Sequence, residues 1–127
     1  WNKEGCNLMK QEVIEYIEKP WGYEKLYAVN DSYAVKEIGF NKGARCSLQK
    51  HEQKLEHAYV LYGKLQVEED DENGNLQTNI YTPGMVYEQK PGFRHRVTGL
   101  EDSAIIEVST PHLTDVIRLD DDYGRQS

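Results

Sequence analysis

The sequence predicts an all-β fold, a sandwich or a barrel, and three observations predict it. Eight short runs rich in β-branched and aromatic residues follow one another, turn-forming residues separate them, and almost no helical period is present. At 127 residues the chain has the length of one domain with one hydrophobic core. Residues 1–19 form a polar lead-in and residues 20–127 the single domain.

In the lead-in, QEVIEYIEK fits a short helix through Val13, Ile14 and Ile17, and a strand through Ile14 and Tyr16. Pro20, Trp21 and Gly22 end that segment. The runs YEKLYAV, YAVKEIGF, RCSLQKH, HAYVLYGKLQVE, NLQTNIYT, RHRVTG, AIIEVST and DVIRL read as strands, with turns at NDS, NKG, ENGN, TPG, KPGF and GLEDS. Asn73-Gly74 predicts a two-residue hairpin with positive φ at both central positions, which makes the acidic EEDDEN a solvated tip. A calcium loop there lacks the alternating ligand spacing and the flanking helices.

A barrel of this size encloses room for one small ligand. The formal charge of -7 and pI near 5.1 remove the electrostatic term that drives binding to phosphate backbones, so no nucleic-acid partner is expected. No apolar run is long enough to span a membrane and no signal pattern precedes the first strands, so a cytoplasmic location and no membrane partner are expected. The two cysteines, Cys6 and Cys46, are too few and too far apart for a disulfide framework or a thiolate metal site.

The stretch GARCSLQKHEQKLEHAYVLYG, residues 43–63, holds the candidate chemistry. If RCSLQKH is a strand, alternation puts Arg45, Ser47, Gln49 and His51 on one face, pointing into the barrel. The turn EQKL can bring Glu56, at the start of the next strand, back opposite them, and His95 in PGFRHRV is a fourth donor. Gln49, His51, Glu56 and His95 make a set of two imidazoles, a carboxylate and an amide oxygen. That set suits a divalent ion such as zinc, manganese, cobalt or iron(II), with room left for water or substrate. Arg96 should alternate to the other face and make an ion pair. His57 should face outward, and His112 sits in a loop with no identifiable partner.

These residues carry a family resemblance. Gly43, Gln49, His51, Glu56 and Gly63 keep the spacing of the first cupin signature, with Gln in place of its first His. Gly84, Gly92 and His95 keep that of the second, with Lys90 in place of its Pro. With KPWGYEKLY, YAVKEI, AIIEVSTP and DVIRLDDDYGR, about residues 18 to 125 resemble the C-terminal cupin domain of type II mannose-6-phosphate isomerases. Those enzymes often carry a nucleotidyltransferase domain too, and this chain has no Gly-rich nucleotide loop.

The resemblance implies a double-stranded β-helix, the cupin jelly-roll barrel, and a metal-dependent isomerisation between mannose 6-phosphate and fructose 6-phosphate. Zinc is the first choice of metal, with manganese, cobalt or iron as alternatives. Such a reaction moves a proton between C1 and C2 through an enediol, with the metal at Gln49, His51, Glu56 and His95 supplying positive charge. Glu56, water activated by the metal or a nearby side chain could be the base. Arg45 is the first candidate for catalytic and phosphate contact, Lys36 the second, and Arg125 of the tail motif Asp122-Tyr123-Gly124-Arg125 the third. The alternatives are a noncatalytic sugar-binding module, another cupin enzyme acting on a different sugar, an iron dioxygenase, and a metal-free epimerase. Open barrel edges predict a homodimer, with the lead-in as a segment for exchange.

Overall fold

The computed structural model describes residues 12–125. Eleven strands in chain order are β1 (Glu15–Lys19), β2 (Gly22–Val29), β3 (Ala34–Phe40), β4 (Leu48–Lys50), β5 (Glu56–Tyr62), β6 (Leu65–Asp70), β7 (Leu76–Tyr81), β8 (Val86–Gln89), β9 (His95–Gly99), β10 (Ser103–Ser109) and β11 (Ile117–Asp120). They form two antiparallel sheets of order β1-β2-β3-β10-β5-β8 and β11-β4-β9-β6-β7. The described residues contain no helix, so the all-β prediction holds. None, therefore, is long and apolar enough to cross a membrane.

Period-two burial is clear in β5, β6 and β8. Along β5, Glu56, Ala58 and Val60 are buried while His57, Tyr59 and Leu61 are exposed. The inward residues of both sheets meet in one core of Trp21, Ile38, Phe40, Val60, Leu65, Val67, Tyr87, Val97 and Ile105, in which Trp21 stacks on Phe40 with centroids 4.9 Å apart. Buried polar side chains, among them His51, Glu56, Gln89, His95 and Glu107, share the interior with this core. They define the site.

Several local expectations are corrected. HAYVLYGKLQVE is two strands in different sheets, because Gly63 sits at φ 87° and turns the chain from β5 into β6. RCSLQKH is regular only over Leu48–Lys50; Cys46 and Ser47 are both buried, which breaks the alternation, and Arg45 makes only an isolated bridge to Thr98. The β6–β7 hairpin forms, but Asp70 pairs with Leu76 around a five-residue loop, and within it only Gly74 has positive φ. Asp71 Oδ1 accepts the backbone N–H groups of Asn73 and Asn75 at 2.8 and 2.9 Å, which stabilises this longer turn over the two-residue form. The strand β8 goes unanticipated, since four residues between two Pro-Gly turns give little periodicity.

Within the ambiguous QEVIEYIEK, Glu15–Lys19 forms strand β1, paired with β2 of its own chain. The first part of the lead-in, with Cys6, lies outside the described residues. Cys46 is a buried free thiol.

Candidate metal centre

Three elements bring the ligand candidates together. Gln49 on β4 lies directly opposite His95 on β9, and Glu56 opens β5, where it opposes Gln89 and Ser109. His51 follows β4 at the start of the turn that leads to Glu56. One ligand atom from each of His51, Glu56 and His95 lies within 4.8 Å of the others, all three side chains are buried, and they line a cavity of about 140 Å³. The trio could hold a metal ion.

The hydrogen bonds bear on whether it fits one. His51 Nδ1 is in short contact with the Asp115 carbonyl, and His95 Nδ1 lies 3.4 Å from the Phe93 carbonyl. A carbonyl only accepts, so each Nδ1 carries the proton and each Nε2 presents a lone pair. His51 Nε2 lies 2.6 Å from Glu56 Oε1, yet it is buried without a hydrogen-bond partner. Two acceptors at that distance leave a place for a cation, as a metal-binding site requires. Gln49 differs in detail: its Oε1 accepts from Ser47 Oγ at 3.1 Å, and its amide nitrogen faces His95 Nε2 at 3.4 Å. Its oxygen would reach a metal only after a turn of the amide group.

The charges around the trio favour its ligand form. Burial pushes the His95 imidazole down to about 4, so it is neutral near pH 7. Burial would raise Glu56, but its contact with Glu107 and the charge of Lys54, whose Nζ is 3.1 Å away, act to lower it below the usual carboxylate range. Burial and the neighbouring Glu56 charge push Glu107 well above that range. The two carboxyls are thus shifted in opposite directions, Glu56 toward the charged form and Glu107 toward the neutral one.

A pH prediction follows from His95. The unfolded chain takes up the imidazole proton near pH 6.5 and the folded protein near 4, so the metal-free protein loses stability as pH falls through that window. The loss should amount to about 3 kcal/mol at roughly 1.4 kcal/mol per pH unit. Glu107 acts in the opposite sense, since its raised folded value stabilises at low pH. Urea midpoints from pH 7 to 4 should therefore fall less steeply in His95→Gln than in wild type, and equal slopes would assign the loss elsewhere.

Residues 7–121 match the family described as mannose-6-phosphate isomerase C-terminal. The chain belongs to that family. Among curated relatives, the alginate biosynthesis protein AlgA of Pseudomonas aeruginosa is 33% identical over 114 residues, covering 86% of this chain and 23% of AlgA. The xanthan biosynthesis protein XanB of Xanthomonas campestris is 31% identical over 116 residues, again 86% of this chain and 23% of XanB. The chain thus spans about a quarter of the length of these relatives. In fold it resembles KdgF from Halomonas sp., with TM-score 0.68, 22% identity, and coverage of 77% of this chain and 88% of that one. It also resembles Bacillus subtilis oxalate decarboxylase, with TM-score 0.74, 20% identity, and coverage of 83% of this chain and 30% of the other. The protein is a cupin domain related to the isomerase C-terminus.

The expected cations of this cupin domain separate into two groups. Lys36 and Arg125 line the cavity, Lys36 paired with Glu24 at 2.8 Å and Arg125 with Asp121 at 2.9 Å. Arg45 does not line it, which corrects its expected placement on the inward face with Gln49. Its guanidinium is half-exposed and pairs with Asp122 at 2.6 and 2.9 Å, because the broken alternation at Cys46 and Ser47 turns it away from the Gln49 face. Arg96 is buried on the far side of β9, bonded to the carbonyls of Cys46 and Asp120 at 3.1 and 2.7 Å. His57 faces outward against Glu88 at 3.0 Å, and His112 Nδ1 meets Thr110 Oγ1 at 2.9 Å.

Sequence reasoning missed Lys54, Glu107 and Arg118, which all line the cavity. A signal existed for Glu107, a single acid among the apolar residues of AIIEVST. Arg118 follows from its register opposite Gln49, which only the β4–β11 pairing reveals. Lys54 lay in a turn read as a mere connection.

Proposed function

We propose that this cupin domain is a metal-dependent aldose–ketose isomerase acting on a phosphosugar, with mannose 6-phosphate and fructose 6-phosphate as the substrate pair. The observation that carries the reading is the placement of His51, Glu56 and His95 in the wall of a cavity that Lys36, Lys54, Arg118 and Arg125 also line. The ligand set suits zinc, with manganese, cobalt or iron(II) as alternatives. A divalent cation held there would supply positive charge to the sugar oxygens as charge develops on them.

The chain's own groups fit the remaining tasks. Glu56, a carboxylate in the cavity wall, is the proposed acceptor of the C2 proton, with Glu107 beside it in the same wall. Trp21 Nε1 and Gln89 Nε2 are buried donors without a hydrogen-bond partner on residues that line the cavity, and they can bind sugar hydroxyls. The cationic side chains can hold the phosphate, with Lys36 and Arg125 exchanging a carboxylate partner for it.

The test is interconversion of the two sugar phosphates by the purified protein, followed by NMR after metal stripping and again after zinc, manganese, cobalt or iron(II) is restored. Turnover that requires metal supports the proposal. A folded, metal-loaded protein without turnover would shift the reading to a sugar-binding module or a different sugar. The proposal includes a homodimer, supported by the apolar outer face of Tyr59, Leu61, Val86 and Val108, all at least 40% exposed. Light scattering should give twice the 14.7 kDa chain mass, and a monomer mass would contradict it.

A further inference from the structure

The turn from His51 to Glu56 is held by a residue that neither the signature spacing nor the ligand set includes. Asp115 lies in the loop after β10, more than sixty positions away in sequence. Its Oδ1 accepts the backbone N–H of Glu52 at 3.0 Å, and its Oδ2 accepts those of Gln53 and Lys54 at 2.7 and 2.9 Å. Its own backbone carbonyl takes the proton of His51 Nδ1. One residue thus satisfies four consecutive donors, from 51 to 54. Thr110 adds a brace, since its N–H donates to the Leu55 carbonyl at 3.0 Å and its Oγ1 accepts from the Leu55 N–H at 3.2 Å. Leu113 and Val116, on either side of Asp115, line the cavity.

We propose that Asp115 is the positioning residue of the metal centre, fixing the His51 tautomer through its carbonyl and the path from His51 to Glu56 through its carboxylate. The physical argument is pre-organisation. A turn whose N–H groups lacked an internal acceptor would sample other conformations, and Glu56 would leave the neighbourhood of His51 in many of them. A ligand pair must be ordered before or during binding, and the ordering lowers affinity when the apo protein does not supply it. The His51 ring would also be free to exchange tautomers, and in one of them Nε2 carries a proton and cannot bind metal. This inference rests on the metal-centre reading above.

The experiment uses cobalt(II) as the probe and the full chain with Asp115→Ala and Asp115→Asn. Cobalt affinity should fall about ten- to a hundredfold in Asp115→Ala, the range known for partners that orient metal ligands. Asp115→Asn should lose about five- to tenfold, because one amide oxygen can replace Oδ2 while the amide NH₂ opposes the Glu52 N–H. Nitrogen NMR of the metal-free proteins supplies a second readout. His51 should show a single Nδ1-protonated form in wild type and a tautomer mixture in Asp115→Ala, because loss of the carboxylate unties the 52–54 turn from the loop and lets the retained Asp115 carbonyl move away from the ring. Should Asp115→Ala fail to fold, Asp115→Asn decides on cobalt affinity. Wild-type affinity and an unchanged His51 tautomer in a folded variant would overturn the proposal. Failure of wild type itself to bind cobalt would instead overturn the metal reading, and the tautomer comparison would still judge the role of Asp115.

Discussion

His51→Ala should abolish metal binding and, with it, the proposed isomerisation. His51 is 2% exposed and supplies an Nε2 lone pair directed at the place between Glu56 and His95. Its loss leaves two ligands of the trio and a carbonyl of Asp115 without its donor. The metal should bind at least about a hundredfold more weakly, beyond the usual effect of removing an orienting partner. Elemental analysis of protein dialysed against metal-free buffer should find about one ion per chain in wild type and almost none in the variant. Circular dichroism controls for folding. Retained stoichiometric metal in a folded His51→Ala would place the ion elsewhere.

Gly63→Ala should unfold or severely destabilise the domain. A Cβ built at Gly63 meets the Asp102 carbonyl oxygen at 2.4 Å, Ser103 Cα at 2.6 Å and Ser103 Oγ at 2.2 Å. Two of those three atoms are backbone and cannot step aside. The φ of 87° adds strain of about 1–2 kcal/mol for any residue with a Cβ. A total of about 3 kcal/mol or more is expected, a large part of the stability of a small domain. Gly43→Ala is the comparison: its φ is 81° but its Cβ meets nothing within 4 Å, so only the backbone strain applies. Chemical denaturation measures both, and equal costs would show that the close approach to Asp102 and Ser103 carries no weight.

The same glycine shows what the sequence disclosed and what it hid. Strand character was legible from alternation in β5 and from β-branched enrichment between turn residues in β3 and β10. The division of HAYVLYGKLQVE between two sheets was not, because a strand pattern does not report which neighbour each half pairs with. The ligand spacing was legible because Gln49 and His51 are near in sequence to Glu56, and the family signature supplied His95. Arg45 was misplaced for a local reason: period-two extrapolation assumed a regular strand through Cys46 and Ser47, which are both buried. Asp115, Glu107 and Lys54 depend on contacts between distant segments or on a turn's path, and no periodicity encodes either. Glu107 left one trace, a single acid in an apolar run, while the roles of Asp115 and Lys54 follow from three-dimensional packing alone.

The proposed reaction transfers a proton between C1 and C2 of a phosphosugar at the His51–Glu56–His95 centre. Its most direct measurement is deuterium incorporation at C2 of mannose 6-phosphate formed from fructose 6-phosphate in D₂O by the metal-restored protein. The product should carry deuterium at C2 and form only when metal is present. A folded protein with one metal per chain that yields neither product nor C2 exchange would contradict it.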